Sequence, residues 1–391
     1  MRTRTYRTAL LSTLLLAGCT PRETMPELTD RVFAVAAAQY EQLEGRLTDE
    51  TLPRSVASDG KFIPSNIRWW CSGFYPGSLW YIYEYTGDKT FRELAEKNTF
   101  KLYPLKQKGT DHDLGFQMNC SFGNAYRITG EQKYLEPIHT SARVLAGRFS
   151  PVTGVIRSWD FVRKGRDWKY PVIIDNMMNL ELMFKATEFS GDSTYYNIAV
   201  KHADRTMKEH FRDDYSCYHV VDYDLTTGDV RGRCTAQGYA DDSAWARGQA
   251  WAVYGYTACY RYTGDKRYLD HARKVAGFML GDKNMPADLV PYWDYDAPNI
   301  PNEPRDVSTA AIIASAFYEM YTYTGDGLYK QKADRIVESL SSPAYRAPVG
   351  GNGGFLLMHS VGSIPHGSNI DVPLNYADYY FLEALIRKGR V

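Results

Sequence analysis

The chain has 391 residues, of which 44% are hydrophobic, and this is enough to bury one large core or two modest ones. Its 46 Lys and Arg residues balance its 46 Asp and Glu residues, so the formal net charge is zero. This balance excludes the broad basic field by which proteins attract nucleic acid, and no nucleic-acid partner is expected. An anionic ligand would have to be held by local geometry.

The N-terminal segment has the features of a bacterial export signal. Three arginines among the first seven residues precede an apolar segment at 9–16 and the run Leu16-Ala17-Gly18-Cys19, which resembles a lipobox. We predict that 1–18 are a signal peptide, that Cys19 is lipidated and that 19–26 form a tether; a plain signal peptide is the alternative. No other apolar run is long enough to span a membrane, so the lipid alone would attach the chain within the bacterial cell envelope, in the periplasm or at the outer-membrane surface.

The remaining cysteines do not indicate a disulfide framework, because their number is odd and they are widely scattered. The sequence also lacks the C-x-x-C and H-E-x-x-H patterns, so we predict no metal and no other cofactor. The five cysteines are Cys71, Cys120, Cys217, Cys234 and Cys259.

A four-residue turn motif recurs five times, and an aromatic residue follows three positions after each copy. Its Gly would end one helix in the left-handed conformation, and its acidic residue would start the next helix, where negative charge suits the helix dipole. The motif therefore predicts a series of helical hairpins. The copies are Tyr85-Thr86-Gly87-Asp88, Ile128-Thr129-Gly130-Glu131, Phe189-Ser190-Gly191-Asp192, Tyr262-Thr263-Gly264-Asp265 and Tyr323-Thr324-Gly325-Asp326.

Twelve helices are predicted around these turns. Six hairpins that close on themselves would give an all-α (α/α)6 barrel formed by a single domain over 27–391, and an open helical solenoid is the alternative. The short turns would lie on one rim, and six long loops on the other rim would each lead into an inner helix. The predicted helices span 27–44, 74–86, 89–102, 114–128, 131–147, 175–190, 193–210, 242–262, 266–280, 307–323, 327–341 and 373–388.

Asp113 and Asp175 are candidate acid–base residues on the long-loop rim. The ordinary role of an Asp before a helix is to cap it. Asp175, however, lies between the apolar segments 172–174 and 177–178, so its carboxyl is expected to be poorly solvated, which raises a carboxyl pKa. Asp113 follows an aspartate and a histidine and is expected in more polar surroundings. Two carboxylates in contrasting environments form a recurring acid–base pattern.

The run at 236–251 is predicted to open a helix, with capping residues at 241–243. It places Arg247 near the helix N-terminus with Trp245 beside it. Two interpretations remain. Arg247 pairs with one of the preceding acids on the surface, or it joins the helix N-terminus in holding an anion between aromatic walls.

Four longer runs complete the pattern: WCSGFYPGSLW at 70–80, HDLGF at 112–116, DDSAWARGQAW at 241–251 and YADYYFLEAL at 376–385. Together with Ile174-Asp175-Asn176 and Arg305-Asp306, they cover most of the chain beyond the signal. These runs resemble the unsaturated glucuronyl hydrolases of glycoside hydrolase family 88. That family has an (α/α)6 fold, which agrees with the helix pattern.

The resemblance implies an enzyme that removes a 4,5-unsaturated uronate from the non-reducing end of lyase-generated oligosaccharides of the glycosaminoglycan type. It implies that an Asp protonates C4, that water adds at C5, and that the ring then opens and releases the next sugar. On this basis Asp175 is the general acid/base and Asp113 the second essential carboxylate. The implied substrate-binding residues are Trp70, His219, Gln237, Trp245, Arg247, Ser363 and Ser368, the last two in a late loop at 359–368.

Two other functions stay open from the sequence. One is an unsaturated rhamnogalacturonyl hydrolase that acts on pectin fragments with the same chemistry, although the runs HDLGF and WARGQAW favour the glucuronyl group. The other is a non-catalytic glycan-binding surface lipoprotein. An activity assay distinguishes the second from both enzymes.

Overall fold

The computed structural model describes residues 23–57, 59–161 and 165–391. Over these residues the chain forms twelve α-helices; the ends of eleven lie within four residues of the predicted ones, whereas the predicted helix at 114–128 is divided into a π-helical segment and a short α-helix. They are α1 (Met25–Glu44), α2 (Phe74–Thr86), α3 (Lys89–Lys101), α4 (Asn124–Thr129), α5 (Leu135–Ala146), α6 (Asn176–Ser190), α7 (Ser193–Glu209), α8 (Ala246–Thr263), α9 (Lys266–Gly281), α10 (Val307–Thr324), α11 (Gly327–Ser341) and α12 (Asn375–Lys388). A π-helical segment, Gly115–Gly123, runs directly into α4.

The inner helices form a closed ring. The π-helical segment packs against α2 and α6, α8 packs against α6 and α10, and α12 packs against α10 and returns to α2. This closure confirms the barrel and excludes the open solenoid. No helix among the described residues is long and apolar enough to cross a bilayer.

The five Gly residues of the turn motif all have positive φ values, between 65° and 73°. In four copies the acid caps the next helix through its side chain, as predicted: Asp88, Asp192, Asp265 and Asp326. The fifth acid, Glu131, makes no cap hydrogen bond, and a short 3-10 turn, Gln132–Tyr134, precedes α5.

The N-terminal prediction needs one adjustment. Helix α1 begins at Met25, two residues earlier than predicted, because Thr24 and Glu27 form a reciprocal capping box. Residues 1–22, which include the predicted signal peptide and Cys19, lie outside the described residues. The other five cysteines are buried and free.

Small antiparallel sheets lie in the long loops, and the helix pattern did not predict them. The strands are β1 (Thr51–Val56), β2 (Phe62–Asn66), β3 (Phe149–Ser150), β4 (Val155–Ile156), β5 (Pro171–Ile173), β6 (Val220–Tyr223), β7 (Val230–Cys234), β8 (Ser360–Ser363) and β9 (Ser368–Val372). They pair as β1–β2, β3–β4, β5–β6–β7 and β8–β9. These sheets stiffen the loop rim, which is where functional residues are expected.

Close packing of inner helices makes Gly255 sensitive to substitution. A Cβ atom at Gly255 would lie 2.5 Å from the Cβ atom of Met177 on α6, whereas a Cβ atom at Gly277 on the outer helix α9 would meet nothing within 4 Å. We expect Gly255→Ala to lower the free energy of unfolding by about 1–3 kcal/mol through overpacking. Gly277→Ala is expected to raise it by about 0.5–1 kcal/mol because Gly weakens a helix interior. Urea denaturation measures both changes, and equal effects at the two sites would contradict this packing.

Candidate active site

One cavity of about 400 Å³ opens among the long loops at the mouth of the barrel. Seven of the nine predicted catalytic and substrate-binding residues line it: Trp70, Asp113, Asp175, Gln237, Arg247, Ser363 and Ser368. The other two, His219 and Trp245, are buried directly behind it. His219 Nε2 lies 3.6 Å from Asp175 Oδ2, so the imidazole contacts the Asp175 carboxyl. The rings of His219 and Trp245 lie 4.5 Å apart.

Asp175 occupies the N-cap position of α6, but its side chain makes no cap hydrogen bond. Its carboxyl is therefore not used in the ordinary way for an Asp before a helix. The side chain is 11% exposed and lines the cavity. The strand β5 leads directly to this position, and the N–H of Ile174 donates to the carbonyl of His219 at 3.0 Å. This backbone contact holds the histidine beside the carboxyl.

The tautomer of His219 follows from its backbone contacts. Its Nδ1 accepts hydrogen bonds from the N–H groups of Ala236 and Gln237, at 3.0 and 3.1 Å. A ring nitrogen that accepts carries no proton, so in the neutral ring Nε2 is the protonated nitrogen. The proton on Nε2 thus lies on the side of Asp175.

The carboxyl of Asp113 is more deeply buried than the sequence indicated. Its side chain is only 14% exposed, and burial raises its pKa well above the ordinary range, with further increases from the nearby charges of Asp111 and Asp175. Lys108, which contacts Asp111 at 2.7 Å, acts in the opposite direction. The polar neighbours are present as expected, but the carboxyl is buried almost as deeply as that of Asp175, which is 11% exposed, because chain neighbours do not determine burial at this site. Two interacting carboxyl groups in one cavity resist simultaneous ionisation.

The surface interpretation of Arg247 is wrong, whereas the anion-holding interpretation stays a prediction, since the side chain lines the cavity. Its side chain is 1% exposed, so it is not a surface residue, and Nη1 donates to Oδ2 of the fully buried Asp306 at 2.8 Å. The guanidinium also donates to the carbonyls of Val361 and Gly362 on β8. The side chain therefore ties the N-terminus of α8 to the β8–β9 hairpin while it lines the cavity.

The predicted helix start at 242 is also wrong. Helix α8 begins at Ala246, with Trp245 at its N-cap position, and the residues at 241–243 belong to the preceding loop. Asp241 contacts the guanidinium of Arg166 at 2.7 Å and accepts from the N–H of Thr235. Its carboxylate is thus used to hold the loop and does not cap the helix.

The β8–β9 hairpin forms one wall of the cavity and contains the late-loop residues. The side chain of Gln237 donates to the carbonyl of Gly362 at 3.1 Å, so Gln237 supports the same strand as Arg247. At the hairpin tip, Ser363 Oγ lies 2.6 Å from His366 Nδ1. Ser363 and Ser368 face each other in the strand register.

The comparisons with known proteins agree with this architecture. The sequence profile of Glycosyl Hydrolase Family 88 matches residues 45–258. An unsaturated glucuronyl hydrolase from Formosa agariphila is 45% identical over 362 residues, which is 90% of each chain. The chain belongs to glycosyl hydrolase family 88.

Solved structures support the same assignment. The structure of an unsaturated glucuronyl hydrolase specific for heparin has a TM-score of 0.90 and 45% identity, and the match covers 93% of this chain and 97% of that one. The Streptococcus agalactiae enzyme, solved as a variant complexed with dGlcA-GalNAc6S, has a TM-score of 0.79 and 30% identity, with coverage of 93% and 92%. This family 88 protein is thus a glycoside hydrolase of the unsaturated glucuronyl hydrolase type.

Several residues that line the cavity of this hydrolase were not among the predicted site residues: Lys108, Trp159, His366, Asn369 and Tyr376. Tyr376 begins the run at 376–385, so a signal for it existed. Trp159 lies in a long loop outside the runs that carried the resemblance, so no sequence pattern indicated it. Trp70, which was predicted, packs against Phe116 and Tyr376 with ring centroids 5.4 and 4.9 Å away. Among the described residues, no group of three or more His, Cys, Asp or Glu could hold a metal ion.

The cavity combines groups that suit proton transfer to an anionic sugar. The largely buried carboxyls of Asp113 and Asp175 supply acid and base capacity, and the neutral imidazole of His219 lies beside Asp175. The guanidinium supplies the positive charge. Aromatic rings line the walls and suit a sugar face.

Proposed function

We propose that this family 88 hydrolase removes the unsaturated uronate from disaccharide units derived from glycosaminoglycans. The observation that carries the proposal is the convergence of Asp113, Asp175 and Arg247 on one cavity at the barrel mouth. The relatives support it, since one is specific for heparin and another was solved with dGlcA-GalNAc6S. The cavity volume of about 400 Å³ is within the range of small-molecule sites.

In the proposed mechanism Asp175 donates a proton to C4 of the 4,5 double bond. The positive charge that develops at C5 is shared with the ring oxygen. Water adds to C5 and gives up a proton to the Asp175 carboxylate, which regenerates the acid. The hemiketal then opens by breaking the bond between C5 and the ring oxygen, and the resulting hemiacetal at C1 releases the next sugar. Asp113 orients the substrate or the Asp175 carboxyl.

Arg247 is proposed to hold the uronate carboxylate. A guanidinium has five N–H donors, and the contacts to Asp306, Val361 and Gly362 use only Nη1 and one hydrogen of Nη2. Nε and the second Nη2 hydrogen form an edge of the kind that binds a carboxylate with two parallel hydrogen bonds. The guanidinium carbon lies 4.5 Å from the ring centroid of Trp245, which supports its orientation.

The decisive experiment offers unsaturated disaccharides from heparin, chondroitin and pectin lyases and follows the ultraviolet absorbance of the conjugated double bond. We expect this absorbance to fall with glycosaminoglycan disaccharides and a uronate-derived keto acid to form in equal amount. Faster turnover of pectin fragments would favour the rhamnogalacturonyl alternative. Binding without loss of the double bond would favour the non-catalytic lipoprotein.

We also propose that the enzyme is a lipoprotein of the bacterial cell envelope, anchored through Cys19. The proposal is supported by the lipobox-like run at 16–19. We expect Cys19→Ala to move the protein from the membrane fraction to the fraction that is soluble without detergent, whereas Thr20→Ala leaves it in the membrane fraction. Immunoblotting of fractions measures the distribution. Retention of the Cys19→Ala protein in the membrane would exclude the anchor.

A further inference from the structure

A buried amide between the π-helical segment and α6 has a defined orientation. The backbone N–H of Phe116 donates to Asn179 Oδ1 at 2.9 Å. A backbone N–H can only donate, so this bond identifies the oxygen of the amide and leaves Nδ2 on the opposite side. The segments meet so closely here that a Cβ atom at Gly115 would lie 2.4 Å from the Cα atom of Asn179.

The orientation of Asn179 determines which nitrogen of His112 carries the proton. Asn179 Nδ2 lies 3.3 Å from His112 Nδ1. Since an amide NH2 group only donates, Nδ1 must accept and the neutral ring must be protonated at Nε2. Burial lowers the pKa of the fully buried His112 to about 3, so the ring is neutral at pH 5 and above.

The protonated nitrogen of His112, Nε2, faces the carboxyl of Asp113. His112 Nε2 is 3.5 Å from Asp113 Oδ1, just beyond ordinary hydrogen-bond length, and the side chain of Asn176 also acts on this ring. The arrangement matches the one at Asp175, where backbone donors to Nδ1 fix the proton of His219 on Nε2. Each carboxyl therefore has a neutral histidine N–H within reach.

We infer that Asn179 is a positioning residue that fixes His112 as the neutral Nε2–H tautomer and so presents an N–H donor to Asp113. The other charged groups that act on this carboxyl are Asp111, Asp175, Lys108 and Arg148. The assignment of the tautomer depends only on the hydrogen bonds of Asn179. Its consequence for catalysis rests on the proposed function.

The tautomer is tested first in the wild-type protein. Selective ¹⁵N labelling of the eight histidines, with the His112 signals identified by their loss in His112→Gln, reports the protonation of each ring nitrogen. We expect His112 to carry its proton on Nε2 at pH 7 and to stay neutral at pH 5. A proton on Nδ1 at pH 7, or protonation near the ordinary histidine pKa, would overturn the inference. This outcome does not depend on the substrate, and the His112→Gln variant serves only to assign the His112 signals.

The second test is Asn179→Asp, which keeps the shape and the acceptor for Phe116 but replaces the NH2 donor with an oxygen. When the new carboxyl is ionised, His112 Nδ1 becomes the donor, so Asp113 faces either an imidazolium or a nitrogen without hydrogen. We expect the proton to appear on Nδ1, kcat to fall by about 10-fold or more with less than about 3-fold change in KM, and the pH profile of kcat to move. An unchanged tautomer or an unmoved profile would contradict the role.

The matched control is Asn124→Asp, which makes the same atom replacement at the start of α4, where the Nε of Arg127 already donates to the Asn124 oxygen at 3.1 Å. Its new carboxylate has the guanidinium of Arg127 beside it, and Asn124 lines a separate cavity that shares no residue with the one at the mouth. We expect the His112 tautomer, kcat and pH profile of this control to match those of the wild type. If the wild type fails to consume any unsaturated disaccharide, the proposed function fails while the tautomer measurement still stands.

Discussion

Asp175→Asn is expected to lower kcat for the unsaturated disaccharide by about 10³-fold, because an amide cannot supply the proton that C4 requires. The fold should be retained. Asn has almost the same shape, and the Asp175 side chain makes no cap hydrogen bond that the substitution could remove. The measurement is the rate of loss of the double-bond absorbance under saturating substrate, with circular dichroism to compare helical content.

Two further variants are needed to interpret this result, one as a control and one to test the other carboxyl. Asp192→Asn, at the N-cap of α7, is the matched control, because Asn caps a helix as well as Asp does and the site lies at the turn end of the barrel. It should keep full activity. Asp113→Asn tests the other carboxyl, whose pKa burial and neighbouring acids raise. If Asp113→Asn abolished turnover while Asp175→Asn kept most of it, Asp113 would be the proton donor and the two roles would be exchanged.

The barrel could be predicted because its turns are local. A left-handed Gly followed by a capping acid determines where one helix ends and the next begins, and both devices act within a few residues. Four of the five acids cap as predicted, and the glycine at 255 shows how close the inner helices then approach. The number of hairpins favoured a closed ring over an open solenoid, and the packing of α12 against α2 decided between them.

The loop rim was harder to predict because distant residues control it. The acids at 241–243 have the composition of a helix start, yet the side chain of Asp294 accepts from the N–H of Tyr239 and from the hydroxyl of Ser243, both at 2.8 Å. These contacts hold the segment as a loop until Ala246. The preference of a few residues for a cap is weaker than such a buried network.

The same reason explains the errors within the site. Arg247 is paired with Asp306, which lies 59 residues further along the chain, so no local pattern identifies the partner. The burial of Asp113 likewise comes from the packing of several loops and not from the residues beside it. What the sequence did predict is the set of side chains that reach one cavity, because each lies at the mouth end of its inner helix or in the adjoining loop.

Arg247→Lys is expected to raise KM for unsaturated disaccharides by about 10-fold or more, with a smaller effect on kcat. Lysine keeps a positive charge for Asp306, so the buried carboxylate is not left without a cation, which would cost about 3–5 kcal/mol. A single ammonium cannot contact Asp306, two carbonyls of β8 and a substrate carboxylate at once, whereas the planar guanidinium has donors for all of them. Steady-state kinetics with charged disaccharides measures the change.

The control lies on the same helix. Arg261, at the turn end of α8, contacts Glu181 and Glu319 and has no part in the cavity at the mouth. Arg261→Lys should lower the thermal unfolding midpoint yet leave KM and kcat close to those of the wild type. A loss of stability in Arg247→Lys with unchanged KM would mean that the guanidinium only fastens the hairpin. A raised KM together with a control of normal KM would instead mean that the same side chain both fastens the wall of the cavity and holds the anionic end of the substrate.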